Sequence, residues 1–220
     1  DSLLERNEFS KIGIIDKTEN YGEKVLGISV IGCDEDLPIL LADGYKYAFV
    51  SVGSIGNTKV RIKLFNQLDD LGFEIPNIID LSGVVSRHIN MGKGIDVGKN
   101  AVINAGSVLK KGTIINTGAI IEHDCFIEDF VHIAPGAVIS GKVKIGKNAL
   151  GEYFYSSGTI KERLNDIHEA FADKSVKAII MSTGGKTANN LLDGLDFNLI
   201  KKNPKIFSGI SDGTTLLDPI

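Results

Sequence analysis

The stretch VGKNAVINAGSVLKKGTIINTGAIIEHDCFIEDFVHIAPGAVISGKVKI, residues 97–145, carries an aliphatic residue at every sixth position. Its anchors are Val97, Ile103, Leu109, Ile115, Ile121, Ile127, Ile133, Ile139 and Ile145, and the register runs back through Met91, Val85 and Ile79. The next place in register, Gly151, breaks it. An internal repeat of fixed period outranks local propensity as a sign of architecture. It implies short strands wound into a solenoid, with every anchor pointing inward. The fifth place of each hexad is small or β-branched (Ala101, Ser107, Thr113, Ala119, Cys125, Ala137, Ala149), which suits a corner. Second and fourth places often hold Gly or Asn (Gly98, Asn104, Gly106, Gly112, Asn116, Gly118), which tolerate tight-corner backbone. Roughly three hexads close one triangular coil, and a coil buries its face only when another stacks on it.

The flanks have a different character. Residues 1–76 alternate strand and helix signals, with strands expected at 11–16 and 47–53 and helices at 35–43 and 58–71. Val60, Leu64 and Leu68, with Phe65 and Leu71 beside them, define the expected apolar face of the second helix, and Gly72 ends it. Such alternation implies a parallel sheet with crossover helices. After residue 150 the α/β pattern returns. Thr159 and Glu162 form a capping-box signature before a helix over 160–172, with Ile160, Leu164, Ile167 and Phe171 on its apolar face. A buried strand is expected over 176–182, a turn at Gly184-Gly185, a helical pattern over 189–203 interrupted by Gly194, and a last strand over 205–211. The fold class is thus mixed α/β plus a parallel β-helix, divided 1–76, 77–150 and 151–220.

Composition excludes several classes. The net charge is −4 with no basic block, which argues against a nucleic-acid footprint. No apolar run approaches the ~18 residues of a membrane span, and no signal-peptide pattern opens the chain. Cys33 and Cys125 are too few for a disulfide framework or a metal cage. The cytoplasm is the simplest compartment. The first six residues read as the end of a helix whose beginning is absent.

Acid–base chemistry points to one place in the repeat. His123 occupies the third place of its hexad, facing outward near a corner, and Asp124 follows it. An imidazole with an ordinary pKa of about 6.5 suits a general base at neutral pH, and a neighbouring acid can orient the ring. Asp124 is otherwise a solvated corner acid. Cys125 occupies a small inward place and reads as packing, and His88 as surface.

These hexads resemble the hexapeptide-repeat acyltransferases, which fold as left-handed parallel β-helices. Residues 115–141, with Asn104-Ala105-Gly106 and the run 144–148, look like the sialic-acid and bacillosamine acetyltransferase branch. Asp16 lies where that branch places an acid after its second strand. Gly53 and Arg61 match a glycine-then-arginine pattern in its Rossmann-like sugar-nucleotide domain. The resemblance implies transfer of an acetyl group from acetyl-CoA, without a metal, to an amino-sugar nucleotide or a sialic acid. It implies a homotrimer with CoA between neighbours. It assigns His123 as base and Asp124 as its partner. It makes His132 a contact to acetyl-CoA or acceptor and the backbone around Ala134 and Gly136 a neighbour of the pantetheine arm. Asp16 and Gly53 become substrate-binding positions. The branch's first strand and Gly-rich phosphate turn, and its later coils, are not in the chain.

Residues 157–220 resemble a different family, the serine LD-carboxypeptidases and microcin-immunity peptidases. The matching residues are 158–163, 169–173, Gly184-Gly185, 189–192, Leu195-Asp196-Phe197, 203–207 and 209–212. The resemblance puts a nucleophilic serine at an exposed strand-to-helix elbow after Gly185, where this chain has Ala188. The Glu and His partners belong to a C-terminal domain not in the chain, so this part is expected to be inactive. Ser182, Thr187 and Ser211 are the remaining hydroxyls near the elbow, with no sequence reason to promote any of them. The two resemblances meet near residues 150–152, in a natural fusion, a chimera or a composite of two proteins. A non-catalytic, oligomerising β-helix is the bland alternative to both.

Overall fold

The computed structural model describes residues 1–53, 58–146, 158–181, 184–217 and 219–220. Ala149, Ser182 and the junction at 150–152 lie outside them. The N-terminal part contains α1 (Ser2–Arg6), β1 (Ile14–Ile15), β2 (Lys24–Val25), β3 (Ile28–Gly32), α2 (Leu37–Ala42) and α3 (Lys59–Leu71). β1 pairs parallel with β3, and β2 folds back antiparallel on β3. That hairpin turns through Leu26 and Gly27, with φ of 51° and 82°, as a two-residue primed turn requires.

Two expectations change here. Residues 47–53 do not join a ladder; their one bridge is Tyr47 to Glu74. The carbonyls of Val50 and Val52 instead accept from Arg61 Nη1, at 2.7 and 2.9 Å. The inward face of α3 is also rotated from the expected one. Arg61, Phe65 and Leu68 are buried, while Val60 is exposed. Phe65 is the larger apolar group, and Arg61 must reach backbone carbonyls that have no strand partner.

The repeat forms twelve two-residue strands among the described residues. They are β4 (Ile78–Ile79), β5 (Val84–Val85), β6 (Asn90–Met91), β7 (Asp96–Val97), β8 (Val102–Ile103) and β9 (Val108–Leu109). They continue as β10 (Ile114–Ile115), β11 (Ile120–Ile121), β12 (Phe126–Ile127), β13 (His132–Ile133), β14 (Val138–Ile139) and β15 (Lys144–Ile145). Each anchor is the second residue of its strand. Strands pair in parallel with those eighteen residues away, as Ile115 does with Val97 and Ile133. Three four-stranded sheets result, ordered β13-β10-β7-β4, β14-β11-β8-β5 and β15-β12-β9-β6. This is a parallel β-helix. Its core is the stack of anchors and fifth-place residues, from Ile95 to Ile133.

The corners explain the rest of the hexad. From Gly94 to Lys142, every fourth place has φ between 56° and 77°. Fifth-place hydroxyls and the thiol serve the corner carbonyls of the next coil: Ser107 Oγ donates to Glu122 O at 2.9 Å, and Cys125 Sγ to Ser140 O at 3.2 Å. Phe130 takes a left-handed corner despite its bulk. Its ring packs edge-on against Phe65 of α3, with centroids 5.2 Å apart. A Cβ on Gly112, one coil below, would come within 2.4 Å of that ring, so only glycine fits there. The N-terminal part thus seats on the first sheet through Phe65, Phe130 and Arg61.

The C-terminal part contains α4 (Ile160–Ala172), β16 (Ala178–Ile180), α5 (Phe197–Lys202) and β17 (Ile206–Ser208). The capping box is present, with Thr159 Oγ1 accepting the Glu162 N–H at 3.2 Å. Ile167 and Phe171 are buried as expected, but Ile160 is exposed. The helix expected over 189–203 is a 3₁₀ segment (Ala188–Gly194) followed by α5. The 3₁₀ segment ends at Gly194, where a Cβ would strike Leu164 at 2.3 Å, and Asp196 caps α5. β16 and β17 pair in parallel, but β16 is not the buried strand expected, because Ala178 and Ile180 are exposed. Residues 205–211 continue past β17 into a turn rather than a longer strand.

Ile115 is fully enclosed, whereas Val138 points outward. Ile115→Ala should lower the unfolding free energy by ~2–5 kcal/mol, and Val138→Ala by under ~0.5 kcal/mol. Denaturant unfolding followed by circular dichroism checks the contrast; equal losses would contradict the inward reading of the anchors.

Candidate active site

The corner between β11 and β12 presents His123 and Asp124 on the outside of the β-helix. His123 Nδ1 lies 2.9 Å from Asp124 Oδ2, with the His123 side chain 57% exposed. A carboxylate only accepts, so Nδ1 carries the proton and Nε2 keeps a free lone pair. Asp124 can face its neighbour because its backbone is left-handed, at φ 59°. Two glycines missed as site residues make room for the pair. A Cβ on Gly106 would come within 2.1 Å of Asp124 Oδ1, and one on Gly141 within 2.7 Å of His123 Nε2. Gly141 stacks one coil above His123, and the family-like run 115–141 ends on it without pointing to this role. Beside the pair, Asn104 Nδ2 donates to Glu122 Oε2 at 3.1 Å. Cys125 is buried, and burial pushes its thiol pKa up, which matches a packing role.

His132 lies on a different sheet from the His123 corner. It stands in the outward column Ile78, Asp96, Ile114 and His132, the face that carries the N-terminal part. Its Nε2 is 2.9 Å from Asn116 Nδ2. Burial, and then the positive charge of Arg61, hold its pKa below the ordinary value. Arg61 is 2% exposed, and its Nε donates to Gly112 O at 3.3 Å. Its Nη2 has no hydrogen-bond partner among the described residues. Burial lowers the Arg61 pKa and raises that of Asp96, each opposed by the attraction between the two charges. Within one chain the structure brings together His123 with Asp124, and His132 with Asn116, but not the two histidines.

The other expected positions are less engaged. Asp16 follows β1, exposed, and its carboxylate accepts from the Lys17 N–H at 2.8 Å and Asn20 Nδ2 at 2.9 Å. Those bonds, the backbone one first, lower its pKa. Gly53 is exposed, with open space where a Cβ would point. Ala134 and Gly136 are exposed at the corner after β13. The Gly136 N–H already donates to Thr117 O at 2.9 Å, so it is not free for a pantetheine carbonyl.

Ala188 does not occupy an exposed elbow. It is 1% exposed, in the core with Phe171 and Leu191. The elbow geometry is found at Ser211, exposed between β17 and the 3₁₀ segment Ser211–Leu216, with φ 55°. Asp212 Oδ2 braces that turn by accepting the Thr187 and Ala188 N–H groups, each at 2.6 Å. Residues 209–213 read Gly-Ile-Ser-Asp-Gly, a G-x-S-x-G run. That pattern, the sequence signature of a serine on a sharp strand-to-helix turn, was the available signal.

Comparison with known proteins finds two kinds of relative. The chain is similar to the acetyltransferase domain of PglB from Neisseria gonorrhoeae in complex with acetyl coenzyme A. That match is 34% identical at a TM-score of 0.58, over 66% of this chain and 68% of that one. It is also similar to a histidine-to-asparagine mutant of perosamine N-acetyltransferase from Caulobacter crescentus in complex with CoA and GDP-perosamine. There the identity is 35% and the TM-score 0.57, over 61% of this chain and 62% of that one. Residues 133–220 match the LD-carboxypeptidase N-terminal domain family. A putative carboxypeptidase from Treponema pallidum (strain Nichols) is 45% identical over 78 residues, 36% of this chain. The chain spans 23% of that relative's length. The peptidase match begins inside the repeat, yet His132–Ile133, Val138–Ile139 and Lys144–Ile145 are built into the β-helix ladders. The chain belongs to the hexapeptide-repeat acetyltransferases, and its C-terminal residues match the LD-carboxypeptidase N-terminal domain family.

In Gly141→Ala the new methyl must displace the imidazole, since real Cβ contacts do not close to 2.7 Å. A crystal structure of the variant should show the His123 ring rotated away and its bond to Asp124 broken. A ring left in place would mean that the coil above yields instead.

Proposed function

We propose that this chain transfers an acetyl group from acetyl-CoA to an amino-sugar nucleotide or a sialic acid, with His123 as general base. The observation that carries the reading is the 2.9 Å contact of His123 Nδ1 with Asp124, which leaves Nε2 bare at an open corner. The acceptor nitrogen or oxygen attacks the thioester carbonyl, His123 Nε2 takes the proton it loses, and the C–S bond breaks to release CoA. Asp124 holds the ring and stabilises the imidazolium that forms. No step needs a metal. His132 contacts the acyl-CoA, Ala134 and Gly136 pack against the pantetheine arm, and Asp16 and Gly53 lie toward the sugar nucleotide. We divide the chain into domains near residues 76 and 150.

A homotrimer and cytoplasmic residence belong to the same reading. The outer column of the second sheet is Val84, Val102, Ile120 and Val138, all apolar, and its end members are over 60% exposed. A continuous apolar strip of this kind supports burial against a second copy. Two neighbouring copies would also set the His123 corner of one against the His132 face of the next, which a single chain does not do.

Release of CoA thiol from acetyl-CoA, followed colorimetrically with GDP- and UDP-linked amino sugars, tests the assignment. His123→Ala should lower the rate ~10²–10⁴-fold with the fold retained. An undiminished rate would sink the base, and no thiol release with any acceptor would sink the acetyltransferase reading.

A second reading concerns residues 158–220 alone. The strained turn at Ser211 favours placing the peptidase-like nucleophile there rather than at Ala188. A serine oxygen needs a base, and His168, the one histidine of this segment, is committed through Nε2 to the Asp196 N–H at 2.9 Å. The segment is then a catalytically silent part of a carboxypeptidase. A fluorophosphonate probe should leave Ser211 unlabelled by mass spectrometry, whereas labelling would reveal a competent nucleophile.

A further inference from the structure

Asn116 follows β10, and its carboxamide is oriented by the backbone. The Thr117 N–H donates to Asn116 Oδ1 at 2.7 Å. An amide oxygen accepts and an amide nitrogen donates, so this bond decides which end of the side chain points away. That other end, Nδ2, meets His132 Nε2 at 2.9 Å. Nδ2 has only protons to offer, so Nε2 must accept. A neutral imidazole that accepts at Nε2 carries its proton on Nδ1. A second proton, on Nε2, would break the contact and set two N–H groups against each other. The charged neighbours agree. Arg61 repels a protonated His132, and the carboxylate of Asp96 stands two coils below in the same outward column. No acceptor for Nδ1–H is found among the described residues.

We infer that Asn116 is a positioning residue: it locks His132 as the neutral Nδ1–H tautomer and makes the ring a fixed hydrogen-bond donor for the carbonyl oxygen of a bound acyl thioester. The inference rests on the acyl-CoA reading above. A donor held at that oxygen polarises the thioester and stabilises the charge that develops as the acceptor attacks. The same ring in the Nε2–H form would spend its proton on Asn116 and offer a lone pair to the carbonyl, which repels it.

Long-range ¹H–¹⁵N correlation spectra of the ¹⁵N-histidine-labelled full chain near neutral pH read the tautomer without any turnover. His132 should show a protonated Nδ1 and an unprotonated Nε2. In Asn116→Asp, a carboxylate that demands a donor should move the proton to Nε2 or charge the ring. The His132 titration midpoint should rise by about one pH unit or more, tenfold in proton affinity. If that variant fails to fold, Asn116→Ala should yield a mixture of tautomers. A wild-type Nε2–H form, or variants indistinguishable from wild type, would overturn the lock. Acetyl-CoA should then shift the His132 Nδ1 resonance. Binding seen elsewhere with His132 Nδ1 unmoved would overturn the donor role. No binding at any resonance would overturn the acyl-CoA reading instead, while the tautomer stands or falls on the first spectra.

Discussion

A left-handed corner at every fourth place of the hexad is the constraint on which the rest of the structure depends. A strand of two residues cannot bend back on itself; the chain must turn within the other four. Placing one residue at positive φ accomplishes the turn, and repeating it from Gly94 to Lys142 brings each strand over the one eighteen residues before. Glycine takes such a corner without strain, and other residues take it at a cost. At two of the corners that are not glycine, the side chain has work that offsets the strain. Asp124 orients His123, and Phe130 seats the N-terminal part against Phe65. The candidate site and the joint between the first two parts of the chain are both exceptions to one backbone rule.

That joint has an electrostatic side. Arg61 is held among the carbonyls of Val50, Val52 and Gly112, from both sides of the contact. Burial lowers its pKa, but a guanidinium is among the most basic side chains and keeps its proton in proteins. One buried cation then acts on two groups of the same outward column, favouring ionised Asp96 and neutral His132. The N-terminal part thus touches the chemistry of the repeat through a charge, without contributing a ligand-facing side chain at Arg61.

The β-helix was legible because its signal is a period, and twelve inward anchors survive any single ambiguity. His123 was legible because its place in the hexad fixes its direction. Less could be read where direction depends on a partner distant in sequence. The inward face of α3 was misjudged because Arg61 is buried for the sake of carbonyls that the sequence treats as strand. Gly141 belongs to the site only through the coil stacked beneath it. Asn116 looked like a corner residue, and its role appears only when Thr117 orients its amide. In the C-terminal part, the buried position of Ala188 and the strained turn at Ser211 follow from packing against Phe171 and from the brace of Asp212. The G-x-S-x-G run was nevertheless in plain view.

The two parts of the chain pose opposite chemical problems with the same device. In each, a residue at positive φ lifts a reactive side chain, or its immediate neighbour, out of the fold: Asp124 beside His123, and Ser211 itself. Geometry alone does not make either reactive. His123 has what its proposed task needs within its own corner, an acceptor on Nδ1 and an Nε2 that Gly141 leaves uncovered. Ser211 has the turn and the brace but no imidazole free to take its proton, since His168 is spent on Asp196. Strain at a turn is therefore only permissive; a proton acceptor within reach decides which site can act. By that criterion the His123 corner is the better equipped of the two turns, although the sequence of the C-terminal part matches curated relatives at higher identity.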